Sequence, residues 1–227
     1  MNIVLSKILD WSEVWALLIP LISLLKHKNQ PEYLKPVKIY VLGSFFIFLF
    51  ADIIMEFKKL WHFPYWLRTN NYLYNTHAIV QLFLFIWFFN LLNQPFLKKA
   101  KRIIPILACV FIGVNFIFFE NFFERMRLSS LMLAVAAGIL LFYCLQYYLY
   151  LLMDEQIRVM RKEAGFWVVT GLSIYVVINF FIFLFYEALI INNWNFAVDV
   201  WNVHNLTFII YCIFLAIAFY DRRDNRH

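Results

Sequence analysis

Residues 39–50 read Ile-Tyr-Val-Leu-Gly-Ser-Phe-Phe-Ile-Phe-Leu-Phe, and residues 174–185 repeat them almost unchanged as Ile-Tyr-Val-Val-Ile-Asn-Phe-Phe-Ile-Phe-Leu-Phe. The two copies are identical at nine of twelve positions, and an acid follows each at the same spacing, Asp52 and then Glu187. Phe and Ile are abundant in this chain, so short coincidences between apolar segments are expected. The shared acid favours a true duplication.

The composition excludes a soluble domain. Hydrophobic residues make up 64% of the 227 residues and charged residues 15%, whereas soluble domains contain about 45–50% apolar and about 25% charged residues. The net charge of +6 comes from short basic clusters between apolar runs, where it sets membrane orientation and contacts lipid headgroups. We therefore expect the lipid bilayer as the partner of this surface, and no nucleic acid.

Apolar segments long enough to cross a bilayer, which takes about 20 residues, recur along the chain. We predict seven transmembrane helices, approximately Val14–Leu25, Lys38–Phe57, Asn71–Leu92, Ile103–Phe119, Ser129–Met153, Gly165–Ile191 and Asp199–Tyr220. The predicted fold class is an all-α polytopic membrane protein with a single transmembrane domain.

The distribution of Lys and Arg predicts the orientation. With the N-terminus outside, 14 basic residues fall on the cytoplasmic side and six on the outer side. The positive-inside rule then places the N-terminus out and the C-terminus in. The last external loop in this arrangement, residues 192–198, has no basic residue.

A second repeated motif follows the first one along the chain. Tyr74-Asn-Thr-His-Ala-Ile79 matches Trp201-Asn-Val-His-Asn-Leu206 as aromatic-Asn-x-His-x-aliphatic. The two copies lie four helices apart and so have the same orientation in the membrane. We predict parallel repeats in a 3+1+3 arrangement, with residues 1–93 as the first half, 94–128 as a linker helix and 129–227 as the second half.

The repeated polar residues fall at one depth in this arrangement. The second and sixth segments run outward and the third and seventh run inward, so the acids and the Asn-x-His pairs lie in the outer third of the membrane. Ionisable groups inside a bilayer are costly and mark functional sites. We expect an outward-facing polar pocket between the two halves, formed by Asp52, Asn75, His77, Glu187, Asn202 and His204.

Other interpretations of these residues stay open. The polar groups could satisfy one another as interhelical hydrogen bonds that fix helix packing. His77 and His204 on different helices could form a metal or haem site, although no HxxxH or HExxH spacing supports it. A hydrolase using Ser44 is disfavoured, because Asn179 stands at the same position of the second copy.

Over most of its length, the chain looks like a group of small bacterial inner-membrane proteins of uncharacterised activity. The resemblance is carried by residues 72–85 (Tyr-Leu-Tyr-Asn-Thr-His-Ala-Ile-Val-Gln-Leu-Phe-Leu-Phe), by Phe166-Trp167, and by residues 201–206 ahead of Tyr211. It implies seven helices and a bacterial cytoplasmic membrane. The chain departs from the group at Gln81, where an acid is expected. The 3+1+3 arrangement is also similar to that of small sugar transporters, although their Pro-Gln signature is absent.

The sequence thus predicts a small-ligand or ion-binding membrane protein that acts as a sensor-like or transporter-like module. We assign no catalytic residue and expect no cofactor. Two alternatives remain: a membrane-embedded metal- or haem-dependent enzyme using His77 and His204, and a structural subunit that docks on another membrane protein.

Overall fold

The computed structural model describes residues 3–57, 69–92, 97–123, 128–153 and 163–220. These ranges contain eight α-helices, one short 3-10 helix at Glu32–Leu34 and no strand, which confirms the all-α prediction. The α-helices are α1 Ile3–Asp10, α2 Ser12–Lys26, α3 Lys35–Phe57, α4 Asn71–Leu91, α5 Lys98–Phe118, α6 Ser130–Met153, α7 Ala164–Asn192 and α8 Trp194–Tyr220.

Six of these helices, α3 to α8, are long and apolar enough to cross a membrane. This supports a multi-pass membrane protein. Helix α2, which covers the first predicted segment, has 15 residues, whereas a full crossing takes about 20. It follows α1 after Trp11 alone.

Helix α8 begins earlier than the sequence analysis placed it. It starts at Trp194 rather than Asp199, so Asn193 alone separates α7 from α8 in place of the expected loop. Asn193 caps the helix, because its side-chain oxygen accepts a hydrogen bond from the backbone N–H of Phe196 at 3.2 Å. The less apolar residues that follow Asn193 therefore form the first turns of α8 and not a loop.

Six helices form a closed ring. Helix α2 packs against α3, α3 against α4, α4 against α6, α6 against α7, α7 against α8, and α8 returns to α2. Helix α5 lies outside this ring against α4 and α6, and side chains along it, such as Ile106, Ile117 and Phe118, are exposed. The segment predicted as a linker is thus set apart from the ring.

Aromatic side chains fill the interior of the ring. Tyr211 of α8 stacks on Tyr175 of α7 with ring centroids 5.3 Å apart, and its ring lies 6.0 Å from that of Tyr40 of α3. Phe85 of α4 contacts both Tyr40 and Tyr211. Residues from both parts of the chain therefore share one core.

Helices α7 and α8 approach each other closely at Gly171. A Cβ atom added there would lie 2.5 Å from the Cβ atom of Phe214, a separation that side chains do not tolerate. The absence of a side chain at this position is therefore what permits the close packing of these two long helices.

Helix α2 is tied to α8 by polar contacts at the end that carries Lys26. Ser23 Oγ donates to the carbonyl oxygen of Ala216 at 2.9 Å. Gln30 Nε2, just beyond the helix, donates to the carbonyl oxygen of Phe219 at 2.8 Å. These bonds close the ring between α2 and α8.

Candidate functional site: a cavity with two histidines

A small cavity lies inside the ring, between helices from both parts of the chain. Its volume is about 30 Å³, enough for about two water molecules, since one water needs about 10–15 Å³. Its polar wall comes from Glu13 of α2, His77 and Gln81 of α4, Asn179 of α7 and His204 of α8. The opposite wall is apolar and comes largely from α6, through Leu133, Ala136, Ala137 and Leu140.

His77 is held by the first copy of the repeated block. Its side chain is buried, with 5% exposed, and a 3.0 Å hydrogen bond joins its Nε2 to Ser44 Oγ on α3. Its ring lies 4.4 Å from that of Phe48 and 5.6 Å from that of Tyr40. Three residues of one face of α3, spaced by four, thus surround this histidine.

His204 is held in the same way by the second copy. It is 3% exposed, and its Nδ1 forms a short hydrogen bond with Asn179 Oδ1 on α7. Its ring lies 5.6 Å from that of Phe183 and 5.7 Å from that of Tyr175. Asn179, Phe183 and Tyr175 stand at the positions of Ser44, Phe48 and Tyr40 in the repeated block.

The hydrogen bonds of Asn179 determine the tautomer of His204. Asn179 Nδ2 donates to the carbonyl oxygen of Tyr175 at 2.7 Å and to Thr207 Oγ1 at 3.2 Å. The amide therefore presents its oxygen to His204, and an oxygen can only accept. His204 Nδ1 must carry a hydrogen and donate it, which leaves Nε2 to face the cavity.

Glu13 meets His204 Nε2 across the seam between α2 and α8. The Glu13 Oε1 atom lies 3.3 Å from Nε2, and both side chains are 4% exposed. Tyr74 OH of α4 donates to the other carboxyl oxygen at 2.5 Å. Asn179, His204, Glu13 and Tyr74 therefore form one buried hydrogen-bonded chain across four helices.

The structure brings together two of the six residues predicted for the pocket. His77 and His204 line one cavity. Asn75 is buried elsewhere and donates to the carbonyl oxygen of Phe122 at 3.0 Å. Asp52 lines a separate surface pocket with Lys7, Asp10 and Glu56. Glu187 and Asn202 are half-buried outside the lining of the cavity.

Four polar residues at or beside the cavity were not included in the predicted pocket. Asn179 and its counterpart Ser44 bind the two histidines directly. Gln81 donates to Tyr40 OH at 3.2 Å beside His77. Glu13 directly precedes the first predicted apolar segment, and an ionisable group in that place is itself a signal of a buried partner.

The donor set does not form a metal centre in this conformation. Within the described residues, no group of three His, Cys, Asp or Glu side chains is placed to hold a metal ion. One nitrogen of His204 is engaged by Asn179 and the other by Glu13. The cavity is also far smaller than the roughly 300–1,000 Å³ of ordinary ligand and cofactor pockets.

Comparison with protein-family models, curated proteins and solved structures finds no match to this chain.

Proposed function

We propose that this protein is a seven-crossing membrane protein of the bacterial cytoplasmic membrane that binds a small ligand or ion between two parallel halves. It acts as a sensor-like or transporter-like module. Its N-terminus lies outside, and α2 together with α1 supplies the seventh crossing. In many transporters built of repeats, the binding site lies at the interface between the repeats.

The order of helices in the ring supports the two-half arrangement. Replacing α2 by α6, α3 by α7 and α4 by α8 maps each neighbouring pair of the ring onto another neighbouring pair. The α2–α8 seam then corresponds to the α4–α6 seam. This is the order expected of two parallel halves related by a twofold axis along the membrane normal.

One observation carries the proposal. Two histidines from corresponding motifs face the same cavity, each bound by the polar residue and flanked by the two aromatic residues of its own repeated block. If these hydrogen bonds only fixed helix packing, they would satisfy both nitrogens of each imidazole ring. Within the described residues, the hydrogen bond of His77 is made by Nε2 to Ser44 Oγ, which leaves Nδ1 for a ligand.

The size and lining of the cavity restrict the ligand. A volume of about 30 Å³ admits a few atoms, such as a single small ion or a very small polar molecule. A larger ligand requires the ring to open. The apolar wall of α6 gives such a ligand a nonpolar side, and the histidines give it hydrogen-bond partners.

The proposal is tested by native mass spectrometry of gently extracted protein. We expect a bound species on the native chain that is absent from a His77→Phe, His204→Phe double variant with an unchanged helical circular dichroism spectrum. His27→Gln is the matched control, because His27 packs on Tyr220 away from the cavity. Identical spectra for the native and double-variant proteins would exclude a ligand site at the histidines.

A further inference from the structure

The two seams between the proposed halves differ in their chemistry. At the α2–α8 seam, Glu13 faces His204. At the α4–α6 seam, the described residues of α6 that reach the cavity are Leu133, Ala136, Ala137 and Leu140. Within the described residues, a carboxylate therefore reaches one of the two histidines and not the other.

The contact between Glu13 and His204 requires a proton. His204 Nδ1 donates to Asn179, so in the neutral ring Nε2 carries only a lone pair. An ionised carboxylate is also only an acceptor. Two acceptors do not attract each other across 3.3 Å, so the contact is favourable only when one proton lies between Nε2 and Oε1.

The surroundings favour holding this proton on the pair as a whole. Glu13 lies in the first turn of α2, where the positive end of the helix dipole stabilises a carboxylate. Tyr74 donates a further hydrogen bond to the same group. Trp201 stacks on the His204 ring with centroids 4.6 Å apart, and an aromatic face stabilises a cation beside it.

We propose that Glu13 and His204 form a proton-binding site that controls opening of the α2–α8 seam, and thereby access to the cavity. The proposal rests on the proposed function, because the seam matters only if the cavity takes a ligand. The bound species is one proton, shared between Glu13 Oε1 and His204 Nε2. When it leaves to solvent, a carboxylate and an imidazole lone pair face each other.

The other hydrogen bonds near the two ends of α2 determine which part of the α2–α8 seam can open. Near Lys26, the bonds from Ser23 and Gln30 to backbone carbonyls involve no titratable side chain, so they persist when the proton leaves. At the other end, Asn205 Nδ2 donates to the carbonyl oxygen of Leu9, which belongs to α1. That bond also has no titratable side chain, so it persists and holds α1 to α8. Loss of the proton therefore weakens the contact of the Ser12 end of α2 itself with α8, while the Lys26 end stays anchored.

The titratable groups on the neighbouring helices do not supply the proton that joins Glu13 and His204. The groups near the pair are Asp10 of α1, Asp52 of α3, Tyr74 and His77 of α4, and Tyr175 of α7. Two of these are further acids and two are phenols. His77 is the other base, and it is bound to Ser44 rather than to Glu13.

Nitrogen-15 NMR of histidine-labelled protein tests the proton site directly. The chain has five histidines, and the His204 signal is identified by its loss in His204→Gln. We expect Nε2 to be protonated or proton-sharing at an acidic pH and bare at an alkaline pH. A bare Nε2 at every pH in the native protein overturns the proposal.

Glu13→Gln supplies the diagnostic variant. A glutamine amide can donate to the Nε2 lone pair and still accept from Tyr74, but it holds no exchangeable acid proton. We expect Nε2 to remain an unprotonated acceptor at both pH values. Asp199→Asn is the control, because it removes an exposed carboxyl on the same helix as His204. In this variant, His204 Nε2 must gain and lose its proton as in the native protein. A native-like titration in Glu13→Gln, or its loss in Asp199→Asn, contradicts the assignment.

Electron-spin distance measurement tests the seam. Labels are placed at Trp11 and Val198, both exposed, with the exposed Cys109 replaced by serine. We expect a longer distance at the higher pH in this background and one pH-independent distance when Glu13→Gln is added. If the distance between the two labels stays unchanged while the protonation of His204 Nε2 changes with pH, the proton does not control opening of the seam. A missing ligand in native mass spectrometry, with both pH effects intact, would instead count against the proposed function.

Discussion

Glu13 on α2 lies 3.3 Å from His204 on α8, a contact between residues 191 positions apart in the chain. It closes the helix ring beside the cavity and joins an acid and a base that are both buried. Removing one partner of such a pair leaves the other without compensation, which typically destabilises a protein by about 3–5 kcal/mol.

Glu13→Ala is therefore expected to be far more destabilising than Glu13→Gln. The alanine variant leaves His204 Nε2 and Tyr74 OH in the interior without their hydrogen-bond partner, whereas glutamine retains a partner for each. We expect a loss of about 3–5 kcal/mol for alanine and less than about 1.5 kcal/mol for glutamine. Chemical unfolding in detergent, followed by circular dichroism, measures both. Equal losses would show that the contact is not an acid–base pair.

Asn179→Ala is expected to destabilise the protein more than Ser44→Ala. Asn179 bonds His204, the Tyr175 carbonyl and Thr207, whereas Ser44 has its bond to His77. The asparagine variant leaves His204 Nδ1–H unpaired in the interior, which costs about 1–3 kcal/mol. The same unfolding assay ranks the two variants. The reverse order would mean that His204 finds another partner.

Gly171→Ala is expected to separate α7 from α8. The new methyl group would meet Phe214 at 2.5 Å, and such overpacking costs about 1–3 kcal/mol. Gly43→Ala is the control, because nothing lies within 4 Å of the position where its Cβ atom would be. That change should be neutral or stabilising by up to about 1 kcal/mol, since alanine is the better helix former. Thermal unfolding of both variants tests the contrast.

Glu120→Ala is expected to loosen the start of α6. Glu120 accepts hydrogen bonds from the backbone N–H of Leu131 at 3.0 Å and of Met132 at 3.4 Å, and from Asn115 Nδ2 at 2.6 Å. Loss of a helix N-terminal partner typically costs about 0.5–2 kcal/mol. Hydrogen exchange should speed up at Leu131 and Met132 while the middle of α6, near Tyr143, stays protected. Uniform exchange along α6 would contradict a capping role.

The helices could be predicted from the sequence because hydrophobicity and length determine them. Segments such as Lys38–Phe57 and Ser129–Met153 agree with α3 and α6 to within a few residues. The predicted start of α8 at Asp199 was wrong, since the helix is capped by Asn193 and begins at Trp194, ahead of the predicted apolar segment. Local composition carries no information on which side chains meet across helices.

The lining of the cavity could be predicted only in part for the same reason. The repeated motif picked out His77 and His204, and their shared cavity is in the structure. Depth along the helix could not separate Asp52, which faces a surface pocket, from Glu13, which faces the cavity. That difference depends on the packing of α2 against α8, a contact between distant parts of the chain.

The central claim is that His77 and His204 bind one ligand together. The most direct test is a double-mutant cycle on ligand occupancy, measured by native mass spectrometry of the native protein, His77→Gln, His204→Gln and the double variant. If both histidines hold one species, each single replacement lowers occupancy by about tenfold, equivalent to about 1.4 kcal/mol, and the double variant is little worse than either single one. Losses that multiply in the double variant, or full occupancy without either histidine, would contradict a shared site.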